Sequence, residues 1–159
     1  MRFDLEDLSL RGGERHESAH SLEFAPITLG GTPYQVLLAD GVNIAVDRVA
    51  GGFLVNVRTK ARVYGPCARC LNEVALVVQA EEQEFVPTAG GHWEDSDLSP
   101  FVDGLVVDIE GIAREAVILA LPEQVLCSTE CQGLCAQCGH DLNRGPCGCT
   151  ALEISQPMG

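Results

Sequence analysis

Basic residues are scarce: ten Lys and Arg stand against 23 Asp and Glu, for a net charge of −13 over 159 residues. Non-specific nucleic-acid binding neutralises phosphates with Lys and Arg, so a chain this acidic does not coat RNA or DNA, and any RNA contact is local. Long apolar runs are missing too, since none approaches the ~18 residues of a membrane span. Met1 to Leu10 carries Asp4, Glu6 and Asp7 where an export signal would be basic and then apolar. Both absences make the cytoplasm the expected location. No Gly-rich phosphate loop follows a strand, and no Ser sits in a nucleophile elbow. The four histidines, His16, His20, His92 and His140, form no telling spacing with a carboxylate or nucleophile, the first three lying in segments that read as loops. Asp95, Asp97, Asp103 and Asp108 are too irregularly spaced for a nuclease metal cluster. The expectation is a protein that is not an enzyme, with no evident small-molecule substrate and no membrane partner.

What is present is a hydrophobic fraction of 46%, enough for one globular core at this length. Residues 1 to 32 read as a peripheral arm or edge strand. From Val42 the alternation of Val42, Ile44 and Val46 with polar residues predicts a strand, and Gly51-Gly52 predicts a hairpin into a second one. There Val55, Val57, Thr59, Ala61 and Val63 point one way, and Asn56, Arg58, Lys60, Arg62 and Tyr64 the other. A third strand follows with Val74, Leu76, Val78 and Ala80, so the chain turns back at Cys67 to Cys70. Residues 86 to 100 read as an exposed acidic loop. Asp108 then caps a helix whose apolar face is Ile109, Ile112, Ala113, Ala116, Leu119 and Ala120, and Pro122 ends it. The fold class expected is α+β, mainly β: an antiparallel sheet with one packed helix and a C-terminal zinc-knuckle appendage. The expected division is a β-rich domain over 1–126 and a cysteine-rich segment over 127–159 packed on it.

Eight cysteines, Cys67, Cys70, Cys127, Cys131, Cys135, Cys138, Cys147 and Cys149, dominate the chemistry. In a reducing compartment they are thiols or metal ligands rather than disulfides. A two-residue gap lets both sulfurs of Cys67-Ala-Arg-Cys70, or of Cys135-Ala-Gln-Cys138, face one metal about 2.3 Å away. Gly139 after the second pair allows the left-handed turn of a zinc knuckle. Eight ligands fill two tetrahedra. Local closure puts Cys135, Cys138, Cys147 and Cys149 in one and Cys67, Cys70, Cys127 and Cys131 in the other; exchanging Cys131 and Cys135 satisfies the same spacings. Two structural zinc ions are expected, with iron the competing metal, and in the bound form the net charge falls to about −17.

The segment Cys67-Ala-Arg-Cys-Leu71, the run Ile118-Leu-Ala-Leu-Pro122, Leu126-Cys, Gly133-Leu-Cys-Ala-Gln-Cys-Gly139, Leu142-Asn143 and Gly145-Pro-Cys-Gly-Cys149 together resemble the YceD family of large ribosomal RNA subunit accumulation proteins. The resemblance covers roughly residues 42 to 150. It implies a β-rich, zinc-binding, non-enzymatic factor in the processing or accumulation of large-subunit ribosomal RNA and in ribosome biogenesis. Arg58, Lys60, Arg62 and Arg69 gather four of the ten basic residues near one strand and its turn. They are the candidate contacts for pre-ribosomal large-subunit RNA or a ribosomal protein, and cross-strand pairing with Gln79 and Glu81 is the plainer account of them. The acidic surface suits a basic ribosomal protein better. A zinc-linked thiol redox switch is the alternative function.

Overall fold

The computed structural model describes residues 1–88 and 98–149. Three long strands form its spine: β4 (Thr32–Val49), β5 (Gly52–Pro66) and β6 (Glu73–Pro87) run as an antiparallel meander. Two short strands pair along β4: β2 (Arg15–His20) with its second half, β3 (Ile27–Leu29) with its start. A separate three-stranded sheet, ordered β1-β8-β7, joins β1 (Arg2–Asp4) to β7 (Val102–Asp103) and β8 (Val106–Asp108). The helix α1 (Ile109–Ala120) follows β8 directly. None of the described helices is long and apolar enough to cross a membrane.

The alternation read from the sequence sets the two faces of the main sheet. Val42, Ile44, Val46, Val55, Val57, Ala61, Val63 and Val78 are buried on one face, while Arg58, Lys60 and Arg62 stand exposed on the other. The strand expected from Val42 begins ten residues earlier, at Thr32. Ala39 to Gly41 hides that continuity, because two extra residues bulge out of β4 between Leu38↔Ala61 and Val42↔Thr59. An even insertion preserves the inward parity of Tyr34, Val36 and Leu38. Gly41 takes φ +67° there, and a Cβ would collide with the His20 carbonyl oxygen. Thr59 Oγ1, buried opposite, donates to the Gly41 carbonyl at 2.8 Å.

Asp108 caps α1 by accepting from Gly111 N at 3.2 Å, and Leu121 is extended before Pro122. The buried face is Ile109, Ile112, Ala113, Ala116 and Val117. Leu119 and Ala120 do not join it as expected: Leu119 is 68% exposed, because the last turn runs past the sheet. The N-terminal arm carries an edge strand, β2, but is not peripheral, since Leu5 and Ile27 lie in the core. His16 and His20 are on β2 rather than in loops, with ring centroids 6.5 and 6.0 Å from Phe3. Their strand was hidden in sequence because its inward positions, His16, Ser18 and His20, are polar and give no apolar alternation. Most of the acidic loop expected over 86–100, with His92, Asp95 and Asp97, lies outside the described residues.

Candidate metal centres

All eight cysteines are unbridged and form two sets of four: Cys67, Cys70, Cys127 and Cys131, then Cys135, Cys138, Cys147 and Cys149. Within each set the sulfurs lie within 4.8 Å of one another. In the first set Cys67 Sγ is 3.7 Å from Cys131 Sγ, and Cys70 Sγ is 3.5 Å from Cys127 Sγ. A tetrahedron with sulfur about 2.3 Å from its centre has edges of about 3.8 Å, whereas a disulfide would draw the sulfurs to about 2.05 Å. The spacing fits a metal ion held by four thiolates. Cys131 falls in the first set, not with Cys135.

Both sets are built on the same turn. In the β5–β6 connection Leu71 N donates to the Cys67 carbonyl at 3.0 Å, and in the second set Gly139 N donates to the Cys135 carbonyl at 2.9 Å. Each donor is left-handed, Gly139 at φ +73° and Leu71 at φ +64°. The glycine was a readable signal; the leucine was not. The first turn is anchored by Cys67 N to the Asn72 carbonyl at 2.8 Å, and Ala68 N reaches the Val125 carbonyl at 2.7 Å. That last bond brings the chain leaving α1 back to the sheet, so Cys127 and Cys131 meet a pair some 60 residues earlier in sequence. The first set is largely enclosed, with only Cys127 exposed. The second sits nearer solvent, with Cys138 exposed and the others half-buried.

The sulfurs compete for charge. Burial opposes ionisation of Cys67, yet backbone N–H groups of Cys70, Arg69 and Cys127 bring its thiol down to about 6. Cys135 is likewise lowered to about 6, by the N–H groups of Cys138 and Gln137 and by the Cys147 sulfur. Their neighbours move the other way: Cys127 is pushed up to about 12 by the sulfurs of Cys70 and Cys131, and Cys149 to about 12 by those of Cys138 and Cys147. Four adjacent thiols cannot all ionise unaided. A divalent cation at the centre removes that conflict and makes a closed four-thiolate cage favourable.

His140 is not among either set; its Nε2 lies 3.2 Å from the Gly145 carbonyl oxygen. The four basic candidates separate. Arg58 is paired with Glu81 at 2.9 Å across the strands, and Lys60 faces Gln79. Arg62 lies between Leu37 and Val77, both exposed. Arg69, though exposed, reaches the metal site, its Nη1 donating to the Cys131 carbonyl at 3.3 Å. Sequence reading missed Asn143, whose Nδ2 donates to Cys131 Sγ at 3.3 Å, and Asp141, which accepts from Asn72 Nδ2 at 2.8 Å. The signal for Asp141 was its place before a short turn, Leu142–Arg144, that it caps.

The family model described as Large ribosomal RNA subunit accumulation protein YceD matches residues 55–157. Uncharacterized proteins of Mycobacterium bovis and Mycobacterium tuberculosis are each 32% identical over 152 residues, covering 92% of this chain and 72% of theirs. One from Mycobacterium leprae is 30% identical over 105 residues, 64% of this chain and 48% of its own. No solved structure matches the chain.

Proposed function

The chain belongs to the YceD family of large ribosomal RNA subunit accumulation proteins, and we propose that it serves there as a cytoplasmic, non-enzymatic binding factor held in shape by two zinc ions. The observation that carries this is the pair of closed four-sulfur sets. Four thiolates fill a tetrahedron and leave no open position for water or substrate, which is the arrangement of a structural rather than a catalytic zinc. The eight cysteines are then ligands, and residues 127–149 are the metal-bound segment packed on the sheet.

For the partner, a basic ribosomal protein fits better than direct RNA contact. With Arg58 paired to Glu81 and Arg69 turned to Cys131, only Lys60 and Arg62 remain of the basic group, against a net charge of −13. Complementary charge speeds such encounters. Affinity capture from cells, with and without ribonuclease, tests this. A basic ribosomal protein retained after RNA digestion is expected, together with two zinc ions per chain by elemental analysis and lowered large-subunit RNA on depletion. Capture abolished by ribonuclease would move the contact to RNA, and normal RNA levels on depletion would remove the ribosomal reading. The exposure of Cys138 favours, as a second reading, a thiol switch at the second set; rapid reversible zinc release by mild peroxide would support it.

A further inference from the structure

The two cysteine sets are not independent. The loop that carries the second set also carries Asn143, and the Asn143 side chain faces the first. Its Nδ2 donates to Cys131 Sγ at 3.3 Å, while its Oδ1 accepts from Gln132 N at 2.8 Å, so both ends of the amide are used. Leu142 N donates to the Gly133 carbonyl at 2.9 Å beside it. Asp141 completes the seam through Asn72, whose own carbonyl receives Cys67 N. Charge gives this seam a purpose. Four thiolates around a dication leave a net −2 at a buried site, and N–H donors to the sulfurs offset part of it. Cys131 is buried, so such a donor has to come from the protein.

We propose that Asn143 is a positioning residue of the first metal centre, and that through it the two centres are coupled, each holding its metal more tightly when the other is filled. The proposal rests on reading both sets as zinc centres. Filling the second orders the loop that presents Asn143 to Cys131. By linkage, filling the first must tighten the second by the same factor.

The test uses the full chain loaded with Co²⁺, challenged with excess chelator, the releasing centre being identified by which cysteines an alkylating reagent then labels. The unaltered chain should bind two Co²⁺ and release them in two phases, the more exposed second centre first. Asn143→Asp keeps the acceptor for Gln132 N but loses the donor to sulfur. It should accelerate the slow phase about 10–100-fold, the usual cost of losing an outer hydrogen bond to a metal ligand. It should also move the sulfur-to-cobalt charge-transfer band of that centre to lower energy, which a change in packing alone would not do. The slow phase of the unaltered chain already starts from an empty second centre, so coupling is read at equilibrium. Cys138→Ser, which takes a ligand from the second centre only, should weaken Co²⁺ binding at the first in a chelator-competition titration, and it decides the matter if Asn143→Asp does not fold. Two Co²⁺ per unaltered chain with the first centre's affinity unchanged in Cys138→Ser would overturn the coupling, and an unchanged slow phase in a folded Asn143→Asp would overturn the role of Asn143. A chain that takes up neither Co²⁺ nor Zn²⁺ would overturn the zinc reading beneath it.

Discussion

Leu71 occupies a left-handed conformation at φ +64° that costs most side chains about 1–2 kcal/mol, and 64% of its surface is exposed. Leu71→Gly removes that strain and sacrifices little burial, though glycine loses more entropy on folding. A net gain of up to about 1 kcal/mol is expected in thermal or denaturant unfolding of the metal-loaded protein. Thr59→Val should act oppositely. It leaves the Gly41 carbonyl in the bulge without its buried donor, a loss of about 1–3 kcal/mol. Glu84 is a case of charge held in the wrong place: burial raises its pKa, and Glu82 and Glu115 add to that against the Ser99 hydrogen bond. A carboxyl raised in the folded state contributes stability below its unfolded pKa and loses it as pH rises through the folded value. Glu84→Gln should therefore be more stable than the natural chain at neutral pH, with the advantage shrinking as pH is lowered, measured as paired denaturant midpoints.

At the scale of elements, α1 was legible because its cap, its period and its stop all lie within 15 residues. Asp108→Ala should cost about 1 kcal/mol, read from the same unfolding curves. The period alone misassigned Leu119, since spacing says which residues share a stripe but not where the underlying sheet ends. Strands β5 and β6 were legible for the same local reason. The first half of β4 was not, because Leu37 points outward and the Ala39–Gly41 bulge breaks the count. In the sheet of β1, β8 and β7 the tight β7–β8 hairpin through Gly104 is local, but β1 left no such trace: Phe3 pairs with Val107, and nothing within a short window announces a partner a hundred residues away.

Taken whole, the molecule is a meander whose far end is tied back by sulfur. Removing metal should cost on the order of 10 kcal/mol of apparent binding energy at each centre, which is also folding energy. Hydrogen exchange should then rise over residues 67–72 and 125–149 before it rises in Val55, Val57 or Val63; uniform exchange throughout would contradict that picture. Spacing made the four-and-four division of cysteines legible up to the exchange of Cys131 and Cys135, which satisfies the same spacings; only the folded chain places Cys131 with Cys67, Cys70 and Cys127. Spacing said nothing of Asn143 or Arg69, whose roles depend on where two distant loops meet.

The first cage spans the chain in a way that matters during synthesis. Cys70 and Cys127 are 57 residues apart, and at about 5–20 residues per second a ribosome needs several seconds to make the intervening stretch. For that interval Cys67 and Cys70 are a half-made clasp on a nascent hairpin, unable to close on any metal until Cys131 has emerged. A newly made chain therefore passes through a window in which its most protected thiols are its most vulnerable.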